Sequence, residues 1–197
     1  MICQIIDGMF DEIYIHQLDA MIRDIPMCCN NIANRSTWPF GQEGSHRLMG
    51  EILFDRKSLN NITILHSSVK NFFELFEQIE KKLKTNFYLS QISLNVQHSG
   101  CNGHTHRDSA SKNDYTIMVM TTSKWKPEWG GKFQITSEDG EHVIEEHEYV
   151  PGRVIVIPSA QWHRGLGPVD SEKYVYRTTL VYRVTPFHFW VRGLTGG

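Results

Sequence analysis

The spacing of apolar residues changes near residue 90, and this change constrains the fold more than any other feature of the sequence. Before that point, apolar residues recur at helical intervals in segments 11–25 and 68–85, and the second segment carries one continuous apolar stripe. After that point the period falls to two, which is typical of strands with one buried face. The sequence therefore predicts two amphipathic helices followed by a mainly β region.

The β region divides into short strands separated by turns that contain glycine, proline or asparagine. Another strand is predicted earlier in the chain, at 46–54, after a loop at 30–45. Short strands behind two amphipathic helices predict a double-sheet β barrel, or jelly roll, with the helices packed on one sheet. The predicted strands after residue 90 are 91–98, 104–107, 115–122, 131–136, 142–149, 153–158, 162–168 and 174–184.

Length and charge narrow the class of protein. A chain of 197 residues can bury a self-sufficient core, so we expect a single domain over 1–197. The formal net charge of −2 does not build the broad positive field of a non-specific nucleic-acid binder. We therefore do not expect nucleic acid as a partner.

Cysteine content and hydropathy indicate the compartment. The four cysteines form no paired CxxC units, and we interpret them as reduced thiols. The N-terminal residues lack the basic region and long apolar run of a secretory signal. No stretch approaches the roughly 20 apolar residues that a membrane span needs. These features predict a cytoplasmic protein without a membrane partner.

Two histidines and one aspartate form the strongest candidate for a metal site. His106 and Asp108 stand two residues apart on a predicted strand, so their side chains point to the same side. His163 follows the apolar strand at 153–158, late in the same predicted barrel. Two histidines and a carboxylate leave three coordination positions open, as in non-haem iron(II) oxygenases. His-x-Asp alone is a common triplet, and a lone histidine after a strand is more often a surface or core residue than a metal ligand. That alternative stays open at this point.

Arg177 is the second candidate group. Strand alternation places Arg177, Thr179 and Val181 on one face of the last predicted strand and the tyrosines on the other. If that face is buried, the arginine needs an anion, and a carboxylate is its natural partner. The alternatives are that Arg177 lies on the surface, or that Lys173, which has the same parity, takes this role. Strand 91–98 has a comparable polar face, formed by Ser93, Asn95 and Gln97.

An ordered set of motifs covers about half of the chain, from residue 88 to 185. The set consists of His106-Arg107-Asp108, Trp129-Gly130-Gly131-Lys132-Phe133, Pro151-Gly152-Arg153 leading to Pro158, His163-Arg164-Gly165 leading to Pro168-Val169, and Arg177-Thr178-Thr179-Leu180. This set resembles the prolyl 4-hydroxylase-like iron(II)/2-oxoglutarate dioxygenases.

The resemblance implies a double-stranded β-helix, a cupin-like fold, with its core at 89–185. Segment 1–88 would then supply helical and strand support, and 186–197 a C-terminal tail. The resemblance also implies that His106, Asp108 and His163 bind Fe(II) and carry catalysis. Arg177 would bind the distal carboxylate of 2-oxoglutarate. The family reaction uses O₂, couples hydroxylation of a substrate to oxidation of 2-oxoglutarate to succinate and CO₂, and often uses ascorbate to keep the iron reduced.

The sequence departs from the family pattern in one place. Many family members have a tyrosine on the third barrel strand that helps to hold 2-oxoglutarate. The corresponding position in this sequence lies near Met120, so the tyrosine is missing here. We expect Thr179 or Tyr115 to supply that contact instead. One subgroup of the family uses lysine for the carboxylate, which keeps Lys173 as a rival of Arg177.

The resemblance favours a proline or similar residue in a peptide or protein as the substrate, with a free amino acid or another small molecule as the alternative. A related chemistry is that of the alkylated-base dealkylases, because Arg177 and Arg183 stand six residues apart as two arginines do there. Thr179 and Val181 depart from that pattern. A different class is a non-catalytic, cupin-like metal-binding module. We also predict that Asn30–Gly44, with Trp38 and Phe40, forms a mobile cover over the site.

Overall fold

The computed structural model describes residues 3–32, 47–58, 61–64, 69–99, 101–169 and 175–187. These residues form two α-helices, α1 (Glu12–Arg23) and α2 (Val69–Leu83), and a short 3₁₀ helix at Pro127–Trp129. The strands are β1 (Gln4–Ile6), β2 (Cys28–Ile32), β3 (Arg47–Ser58), β4 (Asn61–Ile64), β5 (Phe87–Gln97), β6 (Tyr115–Met120), β7 (Phe133–Thr136), β8 (Val143–His147), β9 (Val154–Pro158), β10 (His163–Gly165) and β11 (Arg177–Pro186).

Both predicted helices are present, and each is amphipathic. Helix α1 begins after Asp11, whose side chain accepts a hydrogen bond from the backbone N–H of Tyr14 at 2.7 Å. Helix α2 buries most of the apolar stripe predicted from the sequence, including Phe72, Phe76 and Ile79. In the described part of the chain, neither helix is long and apolar enough to cross a membrane.

The strands form two antiparallel sheets. The major sheet has eight strands in the order β1-β9-β6-β11-β5-β3-β2, with β4 paired to β3. The minor sheet has three, in the order β10-β7-β8. One face of the major sheet packs against the helices through residues such as Ile92, Val119 and Tyr182. Its other face packs against the minor sheet through residues that include Met118 and Phe133. The predicted double-stranded β-helix braced by helices on one sheet is confirmed.

The structure corrects two predicted elements. Residues 104–107 do not form a strand, and only His106 pairs there, as an isolated bridge to His163. Gly103 lies so close to Gly165 that a Cβ would stand 2.6 Å from the Gly165 carbonyl oxygen, and this segment is held by single close contacts rather than by a ladder. The predicted loop at 30–45 is wrong at its start, because residues 30–32 belong to β2. The rest of the predicted cover, with Trp38 and Phe40, lies outside the described residues.

Three short strands were not predicted from the sequence. Strands β1, β2 and β4 have three, five and four residues, too few for a clear two-residue alternation. Their partners are the longer neighbouring strands: β1 pairs with β9, and both β2 and β4 pair with β3. Long-range pairing, rather than local pattern, makes them strands.

Candidate active site

His106 and His163 face each other across an isolated antiparallel bridge. The backbone N–H of His106 donates to the carbonyl of His163 at 3.0 Å, and the N–H of His163 donates back to His106 at 2.9 Å. The backbone N–H of Asp108 donates to the carbonyl of Ser159 at 2.9 Å, which holds the segment after the bridge. The bridge therefore brings the early and the late motif of the barrel to one point.

The side chains of His106, Asp108 and His163 converge at that point. Asp108 Oδ1 lies 3.7 Å from His106 Nε2, and Asp108 Oδ2 lies 3.6 Å from His163 Nε2. All three ligand atoms lie within 4.8 Å of one another. The carboxylate of Asp108 is 7% exposed and the imidazole of His163 is 5% exposed, whereas the imidazole of His106 is 28% exposed. The group is therefore buried on one side and accessible on the other.

Hydrogen bonds to backbone carbonyls set the tautomer of both histidines. The Nδ1 of His106 lies 2.8 Å from the carbonyl oxygen of His104, and the Nδ1 of His163 lies 2.8 Å from that of Gln161. A carbonyl oxygen can only accept, so the proton of each neutral ring resides on Nδ1. The lone pair of each Nε2 is left to bind a metal, and the carbonyl fixes the orientation of the ring.

The protonation states also suit a metal ligand set. Burial lowers the pKa of His163 to about 4, so this imidazole is neutral at physiological pH. Burial alone would raise the pKa of Asp108, but favourable electrostatic interactions with the two imidazoles and with Arg183, together with the hydrogen bond from Thr116, outweigh it. The pKa of Asp108 is therefore lowered and its side chain is a carboxylate. Two imidazoles and one carboxylate fit ferrous iron, with coordination positions left for other ligands.

Asp108 is oriented by two further side chains. Thr116 on β6 donates its hydroxyl hydrogen to Asp108 Oδ2 at 2.6 Å, and Arg183 on β11 donates to Oδ1 at 3.1 Å. The hydroxyls of Thr116 and Ser159 lie 2.9 Å apart. Sequence reasoning missed Thr116, although a hydroxyl within the apolar strand 115–122 is a signal. It considered Arg183 only for its spacing from Arg177.

Arg177 is buried, with 3% of its surface exposed, so the alternative that it lies on the protein surface is wrong. Its Nε donates to the carbonyl of Gly131 at 2.8 Å, and its Nη1 donates to Gln97 Oε1 at 2.8 Å and to Thr179 Oγ1 at 2.9 Å. The guanidinium carbon lies 5.2 Å from the ring centroid of Tyr149. None of the carboxylates in the described part of the chain forms an ion pair with Arg177.

Burial lowers the pKa of Arg177 to about 10, which leaves it cationic at neutral pH. Gly131 has a φ of 70°, and a Cβ there would stand 2.5 Å from the Trp125 ring. Only glycine fits that position, so the Gly-Gly motif shapes the backbone that receives Arg177. A buried cation with neutral partners favours an anionic ligand.

Of the other predicted cofactor contacts, one lies beside Arg177 and one does not. Thr179 bonds directly to Arg177, and Gln97 on the predicted polar face does the same. Tyr115 is a correction: it packs against the core beneath the helices, on the opposite face of the major sheet from Arg177. Side chains along β6 alternate between the two faces of the sheet. Met118, which has the opposite parity to Tyr115, faces the minor sheet. Lys173 lies outside the described residues.

Solved structures with the same architecture indicate the fold. A 2OG-Fe(II) oxygenase-family oxidoreductase from Burkholderia pseudomallei superposes with a TM-score of 0.67 at 15% identity, over 93% of this chain and 84% of that one. The chain has the fold of the 2-oxoglutarate/iron(II) oxygenases. Its sequence matches no family model and none of the curated proteins. The resemblance inferred from the motifs is confirmed at the level of the fold.

Two further oxygenase-fold structures extend this likeness. HygX from Streptomyces hygroscopicus, solved with nickel and 2-oxoglutarate bound, has a TM-score of 0.62 at 10% identity, over 93% of this chain and 82% of that one. A prolyl hydroxylase from Trichoplax adhaerens, solved with a peptide of hypoxia inducible factor, has a TM-score of 0.62 at 10% identity, over 99% and 87%.

Proposed function

We propose that the protein is an iron(II)- and 2-oxoglutarate-dependent dioxygenase that hydroxylates a proline or similar residue in a peptide or protein. One observation carries the proposal: two histidines with Nδ1 tied to carbonyls aim Nε2 at the carboxylate of Asp108. This arrangement presents three ligands with their lone pairs already directed. Support comes from the buried cation of Arg177 and from the fold.

In this function His106, Asp108 and His163 bind the iron, and neighbouring side chains hold Asp108 in position. Thr116 and Arg183 occupy the two oxygens of Asp108 and so restrict rotation of the carboxylate. Iron and 2-oxoglutarate, when bound, supply the oxidation, in which O₂ is consumed, 2-oxoglutarate becomes succinate and CO₂, and the substrate is hydroxylated.

Arg177 binds the distal carboxylate of 2-oxoglutarate. Its neutral partners Gln97, Thr179 and the carbonyl of Gly131 orient the guanidinium without neutralising it. The charge therefore remains for an anion, and Nη2, the guanidinium nitrogen that is not engaged by these three partners, can donate to a carboxylate. Tyr149 lies against this guanidinium and excludes water from one side.

The preference for a peptide rests on two features. The peptide-bound prolyl hydroxylase has the same fold, and the motif set of this chain resembles that branch. The competing substrate is a small acidic molecule, favoured by Arg107, which is exposed beside the site with its guanidinium 5.3 Å from the ring centroid of Trp162. A peptide substrate does not require charged side chains to bind it, because neutral groups can contact its backbone.

The test measures succinate from the iron-loaded protein with 2-oxoglutarate, O₂ and ascorbate. Three panels are added: proline-containing peptides, free amino acids or small acids, and methylated oligonucleotides. We expect stimulation by the peptides, and none in the matched Asp108→Ala protein. Stimulation by free amino acids alone or by oligonucleotides would overturn the peptide assignment. No 2-oxoglutarate consumption under any condition would overturn the enzymatic function and favour a binding module.

A further inference from the structure

A second group of metal-ligating side chains lies apart from the candidate active site. Cys3 stands just before β1, and Glu145 and His147 lie two residues apart on β8, with all three ligand atoms within 4.8 Å of one another. In the minor sheet, Glu145 and His163 both pair with Ile135 of β7. The two groups are therefore separated by two strand spacings, about 10 Å.

The side chains of this group point into the space between the sheets. Glu145 pairs with Ile135 and His147 pairs with Phe133, and both partners are buried in the core between the sheets. Cys3 packs against the same core from the major sheet. The alternate residue, Glu146, points outward and binds Lys132. The cluster thus sits on the inner side of the edge where β1 and β8 approach each other.

The polar atoms of the cluster are incompletely paired within the described residues. His147 Nε2 is buried and has no hydrogen-bond partner among the described residues, although Glu145 Oε2 lies 3.4 Å away. The nearby cation, Arg153, is engaged by Asp7 through two 2.8 Å hydrogen bonds.

We propose that Cys3, Glu145 and His147 bind a divalent transition-metal ion, with zinc as the best fit. Sulfur, imidazole and carboxylate together are a zinc ligand set, whereas magnesium and calcium take oxygen ligands. Tetrahedral bonds of about 2.0–2.3 Å place ligand atoms roughly 3.3–3.8 Å apart, which matches the 3.4 Å between His147 and Glu145. Three protein ligands leave the fourth position to water.

The ion links the two sheets at their edges. Strand β1 is the edge of the major sheet, and β8 is the edge of the minor sheet. Because Cys3 and Glu145 are far apart in the sequence, an ion shared between them stabilises the folded chain relative to the unfolded chain. This role is independent of the proposed oxygenase activity.

Cobalt titration of the full chain tests the site, because a thiolate bound to Co²⁺ gives a near-ultraviolet charge-transfer band that the sulfur-free active-site group cannot give. We expect the band in the wild type and in His163→Ala. It should be absent in Cys3→Ser, and its half-saturation should need at least ten-fold more cobalt in His147→Ala and Glu145→Gln. Cys28→Ser is the matched thiol control and should leave the band unchanged. Absence of the band from the wild type, or its survival in Cys3→Ser, would overturn the proposal.

Thermal unfolding gives a second reading that does not depend on a chromophore. Zinc should raise the Tm of His163→Ala, in which the active-site group is incomplete. It should not raise the Tm of Cys3→Ser/His163→Ala, whose metal-free Tm should equal that of His163→Ala. An equal zinc-induced rise in both proteins would overturn the site.

Discussion

Arg177 shows how a single buried charge is prepared by residues from several strands. Gln97 belongs to β5, Thr179 to β11 itself, and the Gly131 carbonyl precedes β7. The two faces of the last strand alternate as its sequence predicts, because Val181 packs between the sheets whereas Leu180 and Tyr182 pack beneath the helices. What the sequence could not predict is the set of neutral partners, which come from segments far apart along the chain.

Removing this charge should weaken 2-oxoglutarate binding without affecting iron. A hydrogen bond to a charged group contributes about 1.5–3 kcal/mol, so Arg177→Ala should raise the KM for 2-oxoglutarate ten-fold or more. Steady-state kinetics and an iron titration of the same protein separate the two effects. Arg164→Ala is the matched control, because Arg164 bonds to Gln134 in the minor sheet. A KM for 2-oxoglutarate that is unchanged in Arg177→Ala would show that another residue binds the carboxylate.

Helix α1 is attached to the major sheet by a buried carboxylate as well as by apolar contacts. Asp19 accepts hydrogen bonds from the backbone N–H of Ser123 at 2.8 Å and from the Ser123 hydroxyl at 2.6 Å, just after β6. Arg23, one turn along the helix, also donates to it, at 3.0 Å. Burial would raise the pKa of Asp19, but the hydrogen bonds from Arg23 and Ser123 outweigh it and lower the pKa. The contact therefore stabilises the fold only while the carboxylate is ionised.

Acid should weaken this attachment. The folded-state pKa of Asp19 lies below its unfolded value, so its contribution is complete above about pH 4 and is lost as the pH falls through the folded-state value. We expect Asp19→Asn to lower the free energy of unfolding at pH 7 by about 1–3 kcal/mol and to flatten its fall below pH 4. Urea unfolding at several pH values measures both, with the exposed Asp24→Asn as control. An unchanged acid slope in Asp19→Asn would contradict this role.

At the scale of the whole molecule, the predictable elements are those whose apolar residues recur regularly, every two residues in strands or every three to four residues in helices. Helices α1 and α2 and the strands from β5 to β11 follow from local pattern. Strands β1, β2 and β4 do not, because edge pairing rather than alternation defines them. The expected strand at 104–107 is wrong, since a single bridge at His106 positions that segment. A single domain over 1–197 stays a prediction.

The candidate site divides in the same way. His106, Asp108 and His163 were identified from motif order, and the structure brings them together, while their role as iron ligands stays a prediction. Thr116 and Arg183 could not be assigned beforehand, because their contacts with Asp108 depend on how β6 and β11 lie beside the His106–Asp108 segment. Tyr115, which was offered as a 2-oxoglutarate contact, lies on the face of the major sheet that meets the helices, and the sequence alone does not say which face meets the second sheet.

The most direct measurement is anaerobic titration of Fe(II) and 2-oxoglutarate, followed by the visible charge-transfer band of the chelate. We predict one equivalent of this complex per chain in the wild type and in His104→Ala, whose imidazole is exposed. The band should be lost in Asp108→Ala and in His163→Ala. A full band in either of these two variants, or no band in the wild type, would contradict the assignment of this site as an iron and 2-oxoglutarate centre.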